Sequence, residues 1–286
     1  MGSPVRRALC VARDAQVGRS AAAVLAAAGL TVESHDSLPA SVPPGAALVV
    51  VDRAARVAAG EALRDVGAPV VVVGDDLADD ALVALMLDAP VSHHVADPSG
   101  ADLAITTRKL ASGDLFGLEQ YLAPNTGVGE RVVSTDAARK QVVDEVVAWA
   151  EALGARRPVA VRLASALDEL VMNALHDTPA SGPRHAVVRW GADASHFAVS
   201  VADAFGALRQ RDVIDHVLRA RASRGAPAPS AASDGAGLGL YLVLANVAAL
   251  IVNVEAGRRT EVVCLFDRAT RDAPAVAAPR SLHVFT

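Results

Sequence analysis

Glu169, Asn173 and His176 fall within one stretch, RPVAVRLASALDELVMNALHDTP, at spacings of four and three residues. On an α-helix those spacings gather a carboxylate, an amide and an imidazole into a sector of about 60°, opposite a face built from Leu163, Leu167, Leu170 and Ala174. Such a trio is either a solvated helix face or one wall of a site, and the helix alone leaves both open. Further on, HFAVSVADAFGAL alternates apolar residues into a strand that ends at Asp203, with Gly206 three residues later. Then DGAGLGLYLVL sets Gly235, Gly237 and Gly239 at alternate positions ahead of an apolar run, with Leu238 between the last two. A dinucleotide fingerprint needs a strand before the loop and another glycine three residues after the second. Position 240 is Leu and the preceding RASRGAPAPSAASD reads as loop, so these glycines cover a ligand with backbone in some other way.

The elements that must position these residues lie between 134 and 270. DAARKQVVDEVVAWAEALG puts Val142, Val146, Trp149, Ala150 and Leu153 on one helical face, and Gly154 ends it. The helix with Glu169 and Asn173 follows, then the strand to Asp203, the Arg-rich helical stretch RQRDVIDHVLRARASR, and the glycine segment. Strands near 250–254 and 260–266 close the region, and Thr260 opens the last. Residues 115–133, around LAPNTGVGERV, are rich in turn formers and read as a linker; 271–286 reads as a tail.

Before the linker, residues 1–114 alternate Val-rich runs with Ala- and Leu-rich stretches. Strands are expected near 8–12, 31–34, 46–51, 69–73 and 91–95, and helices near 15–28, 54–66, 77–87 and 99–112. Runs such as ALVVV and PVVVV are apolar without alternation, the signature of parallel strands covered on both faces. HDSLPASVPPG, between the second and third strands, carries three prolines, so its helix is expected to be stunted or missing.

Composition bounds the rest. With 286 residues and 52% hydrophobic content, the chain can build two cores. A net charge of −5 and a pI near 5.9 give no basic field to attract nucleic acid or an anionic membrane. Cys10 and Cys264 each sit in an apolar run and read as core thiols. No run reaches membrane-spanning length, and the apolar stretch after Arg7 is cut by Arg13 and Asp14, so a cytoplasmic protein is expected.

The first region resembles a response-regulator receiver, a flavodoxin-like (βα)5 domain. Asp52 closes ALVVVD where receivers carry the phosphoacceptor, and Asp14 matches one of their paired magnesium-binding acids, with Arg13 in place of the second. Gly74 stands where a hydroxyl residue is expected, and Asp97 in VADP where a lysine is expected. Negative charge at Asp97 repels a dianionic acyl phosphate, so the resemblance is to a degenerate receiver that docks partners. Asp14 and Asp52 either keep a residual metal site or cap strand ends.

The second region resembles the Bergerat-fold α/β sandwich of the GHKL ATPases, through three motifs in order: Glu169 with Asn173, Asp203 with Gly206, and GAGLGL. The fold class expected is thus α/β followed by α+β. The resemblance implies ATP with Mg2+ as ligands. Asp203 would accept from the adenine amine, Gly206 would let backbone lie against the base, and Asn173 would supply a hard oxygen to magnesium. Glu169 matches the general base, His176 a basic residue near the phosphates, and Gly235, Gly237, Leu238 and Gly239 the phosphate-covering end of a lid. Thr260 is counted with the binding residues. No helical hairpin with a phosphoacceptor His precedes this region, and residues 134–267 look most like the anti-sigma-factor serine kinases. Three functions follow as expectations: a Ser/Thr protein kinase acting on a regulatory partner of sigma-factor, antagonist or two-component type; an ATP-gated binding module without turnover; or a histidine-kinase-like protein acting on a His in trans. A homodimer is compatible with each.

Overall fold

A computed structural model describes residues 6–88, 90–176, 184–222, 243–244, 246–268 and 281–286. The chain is a mixed α/β protein. It divides into two compact units, Met1–Leu115 with Arg280–His283, and Phe116–Pro279 with Val284–Thr286.

In unit 1, β1 (Arg7–Val11), β2 (Thr31–His35), β3 (Ala46–Asp52), β4 (Val70–Val73) and β5 (Val91–Val95) lie in the order β2-β1-β3-β4-β5. All four pairings are parallel. Between the strands run α1 (Ala15–Ala27), α2 (Arg53–Ala59), α3 (Asp80–Leu85) and α4 (Ala101–Ser112). Alternate strand residues divide the core. Ala8, Cys10, Leu48, Val50, Val71 and Val73 pack with Ala21 and Leu25 of α1 and Leu103 of α4; the intervening residues of β3 and β4 face α2. No helix forms between β2 and β3, as the prolines of 36–45 require. The helix expected at 54–66 is broken at Gly60, whose φ of 53° ends α2, and a 3-10 turn carries the chain on to Asp65. The helix expected at 77–87 is shortened to α3, which starts only where Asp79 caps it.

The stretch read as a linker carries structure. A 3-10 turn forms at Leu118–Tyr121, and β6 (Val128–Val133) pairs antiparallel with β7 (Ala186–Ala192). The rest of unit 2 comprises α5 (Asp136–Ala152), α6 (Arg157–His176), β8 (His196–Asp203), α7 (Gln210–Ala222), β9 (Ala249–Glu255) and β10 (Arg259–Asp267). Its strand order is β9-β10-β8-β7-β6, antiparallel at each pairing. α6 buries Leu163, Leu167, Val171 and Ala174 and packs on β7, β8 and β10, while α5 packs on α6 and β6. Val142, Val146 and Ala150 of α5 are buried as expected, but Leu153 is the C-cap residue and stays 43% exposed. Helical geometry has ended there, so Leu153 no longer follows the apolar face. The tail is not featureless either: β11 (Ser281–Phe285) is a buried strand, and its Ser281, Leu282 and His283 pair antiparallel with Val95, His94 and His93 of β5. No helix among the described residues is long and apolar enough to cross a membrane.

Candidate functional site

The chain places Asp203 at the last position of β8, where the run of five buried residues from Phe197 to Val201 gives way to half-buried Ala202 and Asp203 and the bend at Ala204 and Phe205 stops the ladder. Asp203 is directly opposite Thr260 of β10. Its Oδ1 accepts the N–H of Phe205 at 2.8 Å. Burial raises its pKa above the usual carboxylate value, against the lowering effect of hydrogen bonds from Phe205, Gly206 and Thr260. A carboxylate kept partly dry and held by its neighbours is suited to accept from a donor whose own alternatives are poor.

Gly206 has a φ of 59°, and a Cβ there would stand 2.1 Å from the Glu255 carbonyl oxygen and 2.8 Å from the Arg258 nitrogen. The close approach that demands glycine is therefore to the β9–β10 hairpin of the chain itself, and Gly257 N–H donates to the Gly206 carbonyl at 3.1 Å. That packing sets the direction in which the chain leaves Asp203.

α6 carries Glu169 and Asn173 half-buried and His176 exposed, on the side away from its apolar stripe. Because α6 lies on β8 and β10, the helix with Glu169 and Asn173 and the strand ends with Asp203 and Thr260 belong to one packed layer pair. Gly235, Gly237, Leu238 and Gly239 lie outside the described residues, as do the side chains of most of the Arg-rich stretch beyond Leu218.

Two residues that the sequence reading passed over tie α5 to this helix. Arg139 Nη1 bonds Asp168, the neighbour of Glu169, and Arg139 Nε lies 3.3 Å from Asp136 Oδ1. The same Asp136 oxygen is 3.4 Å from His176 Nε2, and the His176 hydrogen bond, followed by the charges of His176 and Arg139, lowers the Asp136 pKa. The available signal was DAAR at the start of α5, with Asp and Arg at i, i+3 and Asp168 on the neighbouring helix.

In unit 1, Asp52 and Asp14 are joined. The Asp14 N–H donates to Asp52 Oδ2 at 2.7 Å, and Asp52 Oδ1 accepts the Ala55 N–H at 2.7 Å. Asp52 is 3% exposed and is the N-cap of α2; Asp14 caps α1 by accepting from Gln16 and Val17. Of the two readings open in the sequence, the caps are formed, at helix starts. Among the described residues no cluster of three or more His, Cys, Asp or Glu is placed to hold a metal ion. Asp97 is engaged in its own turn, where hydrogen bonds from the Ser99 hydroxyl and N–H lower its pKa. Arg56, buried and invisible as a functional residue in the sequence, bonds Asp75 and Asp79 at 2.5 Å each and so ties α2 to the segment after β4 and to the cap of α3.

No family model matches the chain, and no curated protein matches it.

Proposed function

We propose that the chain is an ATP-binding signalling protein of the histidine-kinase-like ATPase type, with a Bergerat-fold second unit and a receiver-like first unit that does not take phosphate. The observation that carries this reading is the pairing of a half-buried Asp203 with Thr260 at the mouth of an antiparallel sheet, under the helix that bears Glu169 and Asn173. These residues fit an adenine nucleotide by type. Asp203 would hold the exocyclic amine, Asn173 would offer its carbonyl to Mg2+, and Glu169 would take a proton from an attacking hydroxyl. ATP supplies the transferable phosphoryl group. The parallel order of β2-β1-β3-β4-β5 supports a flavodoxin-like reading of unit 1.

The reaction proposed is transfer to a Ser or Thr of a regulatory partner in the cytoplasm, as in anti-sigma kinases. A second reading, an ATP-gated docking module without turnover, is favoured by the internal bonding of Asp52 and Asp14, because unit 1 then serves to bind and not to be modified. Labelled ATP supplied with candidate partners separates the two. For the site itself, calorimetric titration of ATP–Mg2+ is expected to show Asp203→Asn binding about tenfold or more weaker than wild type. Equal affinity removes Asp203 from the site.

A further inference from the structure

Unit 1 withdraws an unusual amount of polar chemistry from water along β5. His93 and His94 are each 1% exposed, and so is His283, which stands opposite His93 on β11. The His93 and His283 rings are 5.5 Å apart and tilted by 34°. α4 lays one face over this pair, since Asp102, Thr106 and Lys109 recur at helical spacing. Asp102 Oδ1 is 3.2 Å from His283 Nε2, and its other oxygen accepts the Ser281 hydroxyl. Thr106 Oγ1 is 3.5 Å from His283 Nδ1, and Lys109 is fully buried. On the other side of β5, His94 Nε2 lies 3.0 Å from the Asp75 carbonyl oxygen. The Asp75 carboxylate is already shared by Arg53 and Arg56.

Lys109 brings a positive charge to this cluster and Asp102 a negative one at its edge, so a proton gained by the buried His93 adds positive charge where little water can screen it. Burial, helped by the charges of His283 and Lys109, holds the His93 imidazole well below its ordinary pKa; burial also lowers that of His94, against the Asp75 carbonyl and the Asp75 and Asp102 charges. Strands β1, β3 and β4 expose no histidine to the same core; they are built from Ala, Leu, Val and Cys, with Arg7 and Asp52 at their ends.

We propose that β11 is an acid-released latch: the neutral His93 imidazole keeps the strand on β5, and a proton gained there, beside His283 and Lys109, expels it. The responsive pair is set by register, because antiparallel pairing brings these two rings together on one side of the sheet under α4. Asp102 restrains the strand at its Ser281 end through the Ser281 hydroxyl. The device is independent of nucleotide binding.

Hydrogen exchange of the full chain, corrected for the intrinsic pH dependence of amide exchange, tests this at about pH 7.5 and about pH 5.5. Protection of residues 281–283 is expected to fall about tenfold or more at the lower pH, to stay below that of β1 and β3, and to return when the pH is restored. His93→Gln, which cannot take up a proton, is expected to shrink that fall to about threefold or less, and His93→Asn serves if the first variant does not fold. Equal protection at both pH values, or residues 281–283 protected as strongly as β1 and β3 at the lower pH, overturns the latch. So does a full wild-type response in both variants.

Discussion

Asp203, Gly206 and Asp52 each spend their chemistry on a specific neighbour. Gly206 is the sharpest case: its left-handed backbone and the Glu255 carbonyl at 2.1 Å from any added Cβ leave no room for a side chain. Gly206→Ala is expected to destabilise unit 2 by about 2–4 kcal/mol, from the positive φ together with displacement of the hairpin backbone. Urea unfolding followed by tryptophan fluorescence measures it, and a wild-type midpoint would mean that the hairpin yields freely. Asp52 has both oxygens engaged by main-chain N–H groups. Phosphorylation would have to break the Asp14 link or the α2 cap. Incubation with acetyl phosphate is accordingly expected to leave the intact mass unchanged. One added phosphate, lost in Asp52→Ala, would return a working receiver to the mechanism.

At the scale of elements, the pattern was legible where residues report on one burial environment. The uninterrupted valines of β3 and β4 read as buried parallel strands and are so. The helical stripe Leu163, Leu167, Leu170, Ala174 is buried along α6. β6 was lost to the linker because VGERVV alternates weakly: Glu130 and Arg131 are exposed and satisfied by Arg189 and Glu145. Its place depends on Gly129, where a Cβ would stand 2.4 Å from the Trp190 ring of β7, a contact 61 residues away in sequence. β11 was lost for a different reason: SLHVF is buried throughout, but it pairs with β5, a strand far away in sequence. The candidate residues of unit 2 could be named from order and type, but the role of Arg139 could not, because its partner Asp168 lies on a different helix. α5 itself starts at a readable cap. Thr135 accepts the Ala138 N–H at 3.1 Å. Thr135→Ala is expected to cost about 1 kcal/mol of unit 2 stability and Thr135→Ser to restore most of it. Chemical denaturation of the three proteins decides this, and an alanine variant as stable as wild type would mean that α5 is held by packing alone.

Over the whole molecule, the two units carry titrating groups of opposite sign. In unit 1, His93 and His94 have folded pKa values below the unfolded one, so their contribution is present above the unfolded imidazole value and is lost as pH falls through it. In unit 2, Asp203 has its folded pKa raised, so its contribution is full below the unfolded carboxylate value and is lost as pH rises through the folded one. The carboxylates with lowered values, Asp79, Asp97 and Asp102 in unit 1 and Asp136 and Asp193 in unit 2, lose their contributions only in stronger acid. Mild acidification should therefore weaken unit 1 and spare unit 2. The two tryptophans, Trp149 and Trp190, both belong to unit 2 and report it alone. Between about pH 7.5 and about pH 5.5, the first calorimetric transition is expected to move to lower temperature while the tryptophan-detected midpoint holds or rises. If both fall together by the same amount, the buried histidines do not set the acid response of unit 1, and the opposition of the two units is lost.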